Sequence, residues 1–185
     1  MKTRSIMIVG VGGQGSLLAS RIIGNVLLSQ GFDVKVSEVH GMSQRGGSVV
    51  TYVKYGSEVC SPVVEKGEAD IIISFEQLEA ARYVSYLKKG GHIITSTQQI
   101  DPMPVYPEDI IGKLKAEGVD VIAVDALALA EQAGTAKASN VVLMGVVSTK
   151  MAFDEDVWQK ALENCVPAKF LELNKKAFAL GREVK

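Results

Sequence analysis

Short apolar runs alternate with longer segments of helical period along the first part of the chain. Residues 5–9 form an apolar run that ends in glycines, which is typical of a buried parallel strand. Leu18, Ile22 and Val26 then recur at four-residue spacing and predict a helix with a buried stripe. A second short run at residues 34–37 predicts another strand. Together these elements predict a right-handed βαβ unit that belongs to a parallel sheet.

The rest of the pattern continues this alternation and then becomes helical. Strands are predicted at residues 48–55, 70–74, 92–95 and 119–124, with 59–64 as an edge strand because it contains Pro62. Helices are predicted at residues 76–89, 110–118, 127–134, 155–165 and 169–180, and residues 140–151 favour a helix over a strand. Gly90-Gly91 and Gly181 are expected to end two of these helices. We therefore predict a single α/β domain over residues 1–185: a Rossmann-like, doubly wound, mostly parallel sheet with a helical C-terminal third.

Composition and charge argue against some classes of binding partner. The 185 residues are 47% hydrophobic and 22% charged, enough for a full core without disulfides or metals. A net charge of −1 and an aromatic content of 6% argue against a nucleic-acid surface or a membrane surface. The N-terminal apolar run is too short for a signal peptide, and no stretch is long enough to span a membrane. The sequence therefore predicts a soluble, cytoplasmic protein.

Cysteine and histidine are too sparse and too scattered for a metal centre. Cys60 and Cys165 stand far apart and in no motif, whereas an iron–sulfur cluster is usually held by four thiolates. His40 and His92 are also isolated in sequence. We therefore predict no metal site, no cofactor held by this chain alone, and no catalytic residue.

A glycine-rich segment, GVGGQG at residues 10–15, joins the first strand to the first helix. We call it the glycine loop. Gly10, Gly12 and Gly15 fit the pattern G-x-G-x-x-G, in which glycine permits a tight turn and close approach of a ligand to the backbone. The helix N-terminus then offers unpaired N–H groups to an anion. The candidate ligand-binding residues here are Gly12, Gly13, Gln14 and Gly15. The segment is not a P-loop, because Ser16 stands where that motif requires lysine.

Four interpretations of the glycine loop remain open from the residues alone. Glu38 ends the second predicted strand, roughly where a dinucleotide-binding fold places its ribose-binding acid, so an NAD(P)-binding oxidoreductase is one of them. The loop would otherwise bind another phosphate-bearing ligand, dock a partner protein without any ligand, or simply make a tight turn. The absence of a convincing acid/base set weighs against a self-sufficient enzyme.

A second segment without helical or strand period, EVHGMSQRGG at residues 38–47, follows the second predicted strand. We call it the second loop. Adjacent parallel strands end at the same edge of a sheet, so we expect the two loops to be neighbours. The second loop adds Ser43, Gln44, Arg45 and Gly46 to the anion-binding candidates. Glu38 and His40 are the other polar residues of this loop: Glu38 would pair with Arg45 where no ligand does, and His40 is a candidate base without further support.

The two loops together, with GEADIIISFEQLEAARYVSYLKKGG at residues 67–91 and ASNVVLMG at 138–145, carry a family resemblance. The chain resembles the gamma-type domain of the 2-oxoacid:ferredoxin oxidoreductases, and within them the enzymes that act on indolepyruvate and other aryl pyruvates. This resemblance implies a subunit that is inactive alone in an enzyme that oxidatively decarboxylates a 2-oxoacid to an acyl-CoA and passes electrons to ferredoxin. It also implies that thiamine diphosphate and the [4Fe-4S] clusters lie on a large partner subunit, and that coenzyme A is a ligand for the anion-binding candidates.

Overall fold

The sheet has six strands in the order β2-β3-β1-β4-β5-β6 over the part of the chain that the structure describes. The structure is a computed structural model and describes residues 3–41, 46–100 and 105–184. The strands are β1 (Arg4–Val11), β2 (Asp33–His40), β3 (Ser48–Gly56), β4 (Ala69–Ser74), β5 (Leu87–Ser96) and β6 (Asp120–Val124). β1, β4, β5 and β6 are parallel, and β3 runs antiparallel to both of its neighbours, β1 and β2. The predicted α/β, mostly parallel fold is confirmed.

One feature of the predicted βαβ unit is wrong. β2 runs in the same direction as β1, as expected, but the two strands do not pair, because β3 lies between them. The chain forms a β2–β3 hairpin and inserts its second arm beside β1, where the apolar β3 residues become buried. The second loop therefore runs from the end of β2 to the start of β3.

Helices cover both faces of the sheet. The described helices are α1 (Ser16–Ser29), α2 (Gln77–Tyr83), α3 (Ile110–Ala116), α4 (Ala126–Ala133), α5 (Ser139–Lys150), α6 (Glu155–Cys165) and α7 (Ala168–Arg182). Alternate residues of β1 serve two cores: Ile6 and Ile8 belong to the core with α1 and α4–α7, and Met7 and Val9 to the core with α2 and α3. None of the described helices is both long and apolar enough to cross a membrane.

The prediction for the segment after β4 was wrong because its two glycines were interpreted as a helix end. The helix predicted over residues 76–89 ends at Tyr83, a 3₁₀ turn follows, and Gly90-Gly91 lies inside β5 instead of ending a helix. A Cβ on Gly91 would lie 2.8 Å from the carbonyl oxygen of Asp70, so glycine is needed for close approach of two strands where their register shifts.

Two further local predictions are also corrected. Residues 59–64 form no strand, and this irregular segment is held instead by the buried side chains of Val59 and Val64. Gly181 does not end the last helix but lies within α7, where a Cβ would come within 2.0 Å of the carbonyl oxygen of Val142. Gly181 is needed for the close crossing of α7 with α5.

Candidate functional site: a cleft at the glycine loop

The side chain of Gln14 holds the glycine loop in place. Its Oε1 accepts a hydrogen bond of 2.7 Å from the Val11 N–H, and its Nε2 donates to the carbonyl oxygen of Phe75, at 2.9 Å. Gly10 makes room for this arrangement, because a Cβ there would lie 2.8 Å from Gln14 Oε1. Gln14 therefore connects the glycine loop to Phe75, the residue that follows β4. Its side-chain amide stabilises the conformation of the loop.

Glycine conformation opens the N-terminus of α1. Gly15 immediately precedes this helix with φ +87°, and no side chain caps the helix. The first turn contains no acidic residue, so no carboxylate of the helix itself neutralises its positive end. Gly13 also adopts a positive φ of +103° and has open space where a side chain would be. The start of α1 thus keeps the properties of an anion-binding helix terminus.

The second loop meets the glycine loop through a backbone hydrogen bond. The Gly12 N–H donates to the carbonyl oxygen of Gly47 over 2.8 Å. The next residue, Ser48, pairs with Val11 in the β1–β3 register. The expected proximity of the two loops is therefore found for this end of the second loop, although it is β3 and not β2 that brings them together. Ser43, Gln44 and Arg45 lie outside the described residues.

Both loops line a cleft of about 560 Å³, which we call the glycine cleft. Gly12, Gly13, Gln14, Gly15 and Gly46, all sequence-based candidates, contribute one side of it. Gln98 and Ile100, which follow β5, form a second side. The start of α5 and the 3₁₀ turn that precedes it form the third side with Lys137, Ser139 and Asn140.

Asn140 joins the two helix N-termini at this cleft. Its side chain is only 5% exposed, its Nδ2 donates to the carbonyl oxygen of Gly15 at 3.3 Å, and its Oδ1 accepts from the Val141 N–H at 2.9 Å. The N-termini of α1 and α5 therefore meet at one cleft, and Lys137 supplies an exposed cation beside them. Two helix dipoles and a lysine favour a negatively charged ligand.

Glu38 and His40 are not among the residues that line this cleft. Glu38 Oε2 accepts from Thr51 Oγ1 on β3 at 3.3 Å and from Ser16 Oγ at 3.5 Å, and its Oε1 is 3.7 Å from His40 Nδ1. β3 separates Glu38 from β1, whereas a dinucleotide fold places its ribose-binding acid on the strand adjacent to β1. The NAD(P) interpretation therefore loses the geometry on which it rested.

Sequence reasoning missed the part of the cleft that comes from outside the two loops. Gln98, Lys137 and Asn140 are far from the glycine loop along the chain, and only the fold brings them to it. The one available signal was Asn140, a polar residue at the start of the otherwise apolar helix 139–150. A buried amide in that position needs partners, and the backbone of the glycine loop supplies one.

The described residues offer no site that suits a metal cluster. No group of three His, Cys, Asp or Glu side chains among them is arranged to hold a metal ion. Cys60 is exposed and Cys165 is half-buried, and both are free thiols. The polar side chains that line the described part of the glycine cleft are the amides of Gln14, Gln98 and Asn140, the Ser139 hydroxyl and the Lys137 ammonium.

Comparison with known proteins identifies the family of the chain. The model of the pyruvate ferredoxin/flavodoxin oxidoreductase family matches residues 5–184. The chain belongs to this family. A protein from Thermococcus kodakarensis named indolepyruvate oxidoreductase subunit IorB is 43% identical over 98% of this chain and 95% of its own length. Its namesake from Archaeoglobus fulgidus is 39% identical over 96% of this chain and 92% of its own length. These matches confirm the family resemblance and show that the chain is a subunit of an oxidoreductase.

Solved structures share the fold. The gamma subunit of a keto/oxoacid ferredoxin oxidoreductase from Geobacter sulfurreducens superposes with a TM-score of 0.76 and 24% identity, over 97% of this chain and 96% of that one. A 2-oxoglutarate:ferredoxin oxidoreductase from Magnetococcus marinus, solved with 2-oxoglutarate, coenzyme A and succinyl-CoA bound, superposes with a TM-score of 0.78 and 19% identity. That match covers all of this chain and 31% of the longer one. The fold therefore occurs both as a separate subunit and as part of a larger chain.

Proposed function

We propose that the chain is the subunit without a redox cofactor in a thiamine diphosphate-dependent indolepyruvate:ferredoxin oxidoreductase. The identity of 43% to the Thermococcus kodakarensis indolepyruvate oxidoreductase subunit, over nearly the whole of both chains, carries this proposal. The reaction would convert an aryl pyruvate and coenzyme A into an aryl-acetyl-CoA and carbon dioxide, with two electrons passing to ferredoxin. Thiamine diphosphate and [4Fe-4S] clusters would belong to a large partner subunit in the cytoplasm, and thiamine diphosphate would supply the decarboxylation chemistry.

The contribution of this chain would be to hold the phosphates of coenzyme A in the glycine cleft. The N-termini of α1 and α5 and the Lys137 ammonium make the cleft suitable for an anion. Gly13 and Gly46 have open space where a side chain would be, so a ligand can approach the backbone closely at these two positions. Coenzyme A is the phosphate-bearing substrate of the proposed reaction, and it is bound in the Magnetococcus marinus relative.

Reconstitution tests this function directly. The purified chain alone should not reduce an electron-accepting dye with indolepyruvate and coenzyme A. Activity should appear on co-expression with the large subunit encoded in the same organism, and should require coenzyme A. Turnover by the isolated chain would contradict the proposal. Titration with NADH and NADPH serves as a counter-test, because micromolar binding that is lost in Gly12→Val would instead support a nucleotide-dependent enzyme.

Two cation substitutions test the assignment of coenzyme A to the cleft. In the assembled enzyme, Arg45→Ala should raise the KM for coenzyme A by on the order of tenfold, the value of one lost charge-assisted hydrogen bond. Lys137→Ala should raise it by about threefold, because an exposed lysine contributes less. The KM for the 2-oxoacid should stay constant in both variants.

A matched control removes a lysine elsewhere. Lys175 on α7 pairs with Glu163 at 2.7 Å and lies outside the glycine cleft, so Lys175→Ala should leave both KM values unchanged. If Arg45→Ala and Lys137→Ala affected both substrates equally, the two residues would have structural roles. If calorimetry showed no binding of coenzyme A to the chain or to the complex, the loops would serve only to dock the partner.

A further inference from the structure

Two buried glutamates at the start of α2 have no part in the proposed function. Glu76 is 1% exposed and Glu79 is 5% exposed. Both lie just after β4, at the same edge of the sheet as the glycine cleft. A buried carboxylate is unfavourable unless it is paired and hydrogen-bonded, so the partners of these two residues indicate what they do.

Glu79 holds the end of the second loop. Its Oε2 accepts a hydrogen bond of 2.5 Å from Ser48 Oγ, and its Oε1 lies 2.9 Å from Arg82 Nε. Ser48 directly follows Gly47, whose carbonyl oxygen accepts from the Gly12 N–H. A short path of contacts therefore runs from the Glu79 carboxylate through Ser48 and Gly47 to the glycine loop.

Glu76 holds the second side of the cleft, which contains Ile100. Its Oε1 accepts hydrogen bonds from the Tyr106 hydroxyl and from the Ile100 N–H, the latter at 3.4 Å. Ile100 itself lines the cleft. The Tyr106 hydroxyl also accepts from the Leu78 N–H at 3.1 Å, so the chain beyond β5 is bound to α2 at two points.

Glu76 also fixes the position of Glu79. Glu76 Oε2 caps α2 by accepting from the Glu79 N–H at 2.9 Å. The capping bond fixes the first turn of the helix and with it the direction of the Glu79 side chain. Glu76 and Glu79 are thus held together at the start of α2, and each contacts a different side of the glycine cleft.

We propose that Glu76 and Glu79 are positioning residues that set the distance between two of the three sides of the glycine cleft, the side with the two loops and the side with Ile100. Their effect on coenzyme A rests on the proposed function, whereas their effect on the loops does not. Neither residue lines the cleft. They act through Ser48 on one side and through Ile100 and Tyr106 on the other.

The test measures loop order and substrate use separately. In Glu79→Ala, hydrogen–deuterium exchange of the full-length chain should be about tenfold faster at residues 46–48, because a hydrogen bond to a charged group is lost. In the assembled enzyme the same variant should raise the KM for coenzyme A by about tenfold and leave the KM for the 2-oxoacid unchanged. Glu79→Gln should recover most of both effects, since its amide oxygen can still accept from Ser48.

Three further variants make the test specific. Ser48→Ala removes the loop side of the contact, together with a 3.3 Å contact between Ser48 Oγ and the Tyr83 hydroxyl, and should reproduce the local exchange of Glu79→Ala even if the latter variant folds poorly. Tyr106→Phe should speed exchange at residues 98–100 and not at 46–48. Glu163→Ala, which removes an exposed glutamate paired with Lys175, should change neither region.

The outcomes separate this proposal from the proposed function. Unchanged exchange at residues 46–48 in both Glu79→Ala and Ser48→Ala would overturn the positioning role. Uniformly faster exchange over the whole chain would also overturn it, because that result indicates general destabilisation. Locally faster exchange with an unchanged KM for coenzyme A would support the positioning role and contradict the placement of coenzyme A in this cleft.

Discussion

Gly145→Ala is expected to destabilise the chain by about 3 kcal/mol, at the upper end of the range for overpacking. A Cβ on Gly145 in α5 would lie 2.1 Å from the carbonyl oxygen of Phe178 in α7. The Cβ is fixed directly to the backbone of α5 and the oxygen belongs to the backbone of α7, so the contact is relieved only by moving the helices apart. The buried side chains of Trp158 and Phe178 in the same core would then lose contacts.

Thermal unfolding measures this effect. The melting temperature of Gly145→Ala should fall by about 6–12 °C for a chain of this size. Gly24→Ala is the matched control, because Gly24 also lies inside a helix but a Cβ there would meet no atom within 4 Å. The control should stabilise the chain by about 0.5–1 kcal/mol. A melting temperature for Gly145→Ala at or above that of the unmodified chain would contradict the close crossing of α5 and α7.

Gly15→Ala is expected to impair use of coenzyme A by tenfold or more. A Cβ at Gly15 would lie 2.3 Å from Asn140 Nδ2, so the buried amide would have to turn and lose its hydrogen bond to the Gly15 carbonyl oxygen. The φ of +87° adds about 1–2 kcal/mol of strain for alanine. The N-termini of α1 and α5 would separate, and since about 1.4 kcal/mol corresponds to tenfold, the KM for coenzyme A should rise at least that much.

Gly31→Ala is the control that separates strain from position. Gly31 follows the other end of α1 with φ +79° and has nothing within 4 Å of a Cβ. This variant should lose about 1–2 kcal/mol of stability from the same backbone strain and keep its KM for coenzyme A. Kinetics of the assembled enzyme and thermal unfolding of the chain measure the two effects. Equal increases in KM for Gly15→Ala and Gly31→Ala would show that lost stability alone explains the first result.

Periodicity predicted the elements well where each segment had one dominant role. The run at residues 5–9 and the helix with Ile22 and Val26 follow from burial on one or both faces, and both occur as expected. Glycine was misread where tertiary contact decides its role. Gly91 and Gly181 looked like helix ends, but they permit close approach of strands and of helices. That information lies in a distant part of the chain, which a local pattern does not contain.

The candidate site was predictable only in its local part. The glycine loop is recognisable because a strand, three spaced glycines and a helix are consecutive in sequence. The contributions of Asn140 and of Glu79 depend on the placement of α5 and α2 at the same edge of the sheet. The expected meeting of the two loops was correct for the Gly12–Gly47 contact, but the reason was incomplete, since it assumed that β2 pairs with β1.

Hydrogen–deuterium exchange of the assembled enzyme, with and without coenzyme A, tests most directly whether the glycine cleft binds this substrate. We expect coenzyme A to slow exchange at residues 11–16, 46–48, 98–100 and 137–141, which together cover the three sides of the cleft. The sheet edge at the opposite ends of the strands, around Arg4 and Lys88, should not change. Protection confined to the partner subunit, in an enzyme that turns over with coenzyme A, would contradict the account.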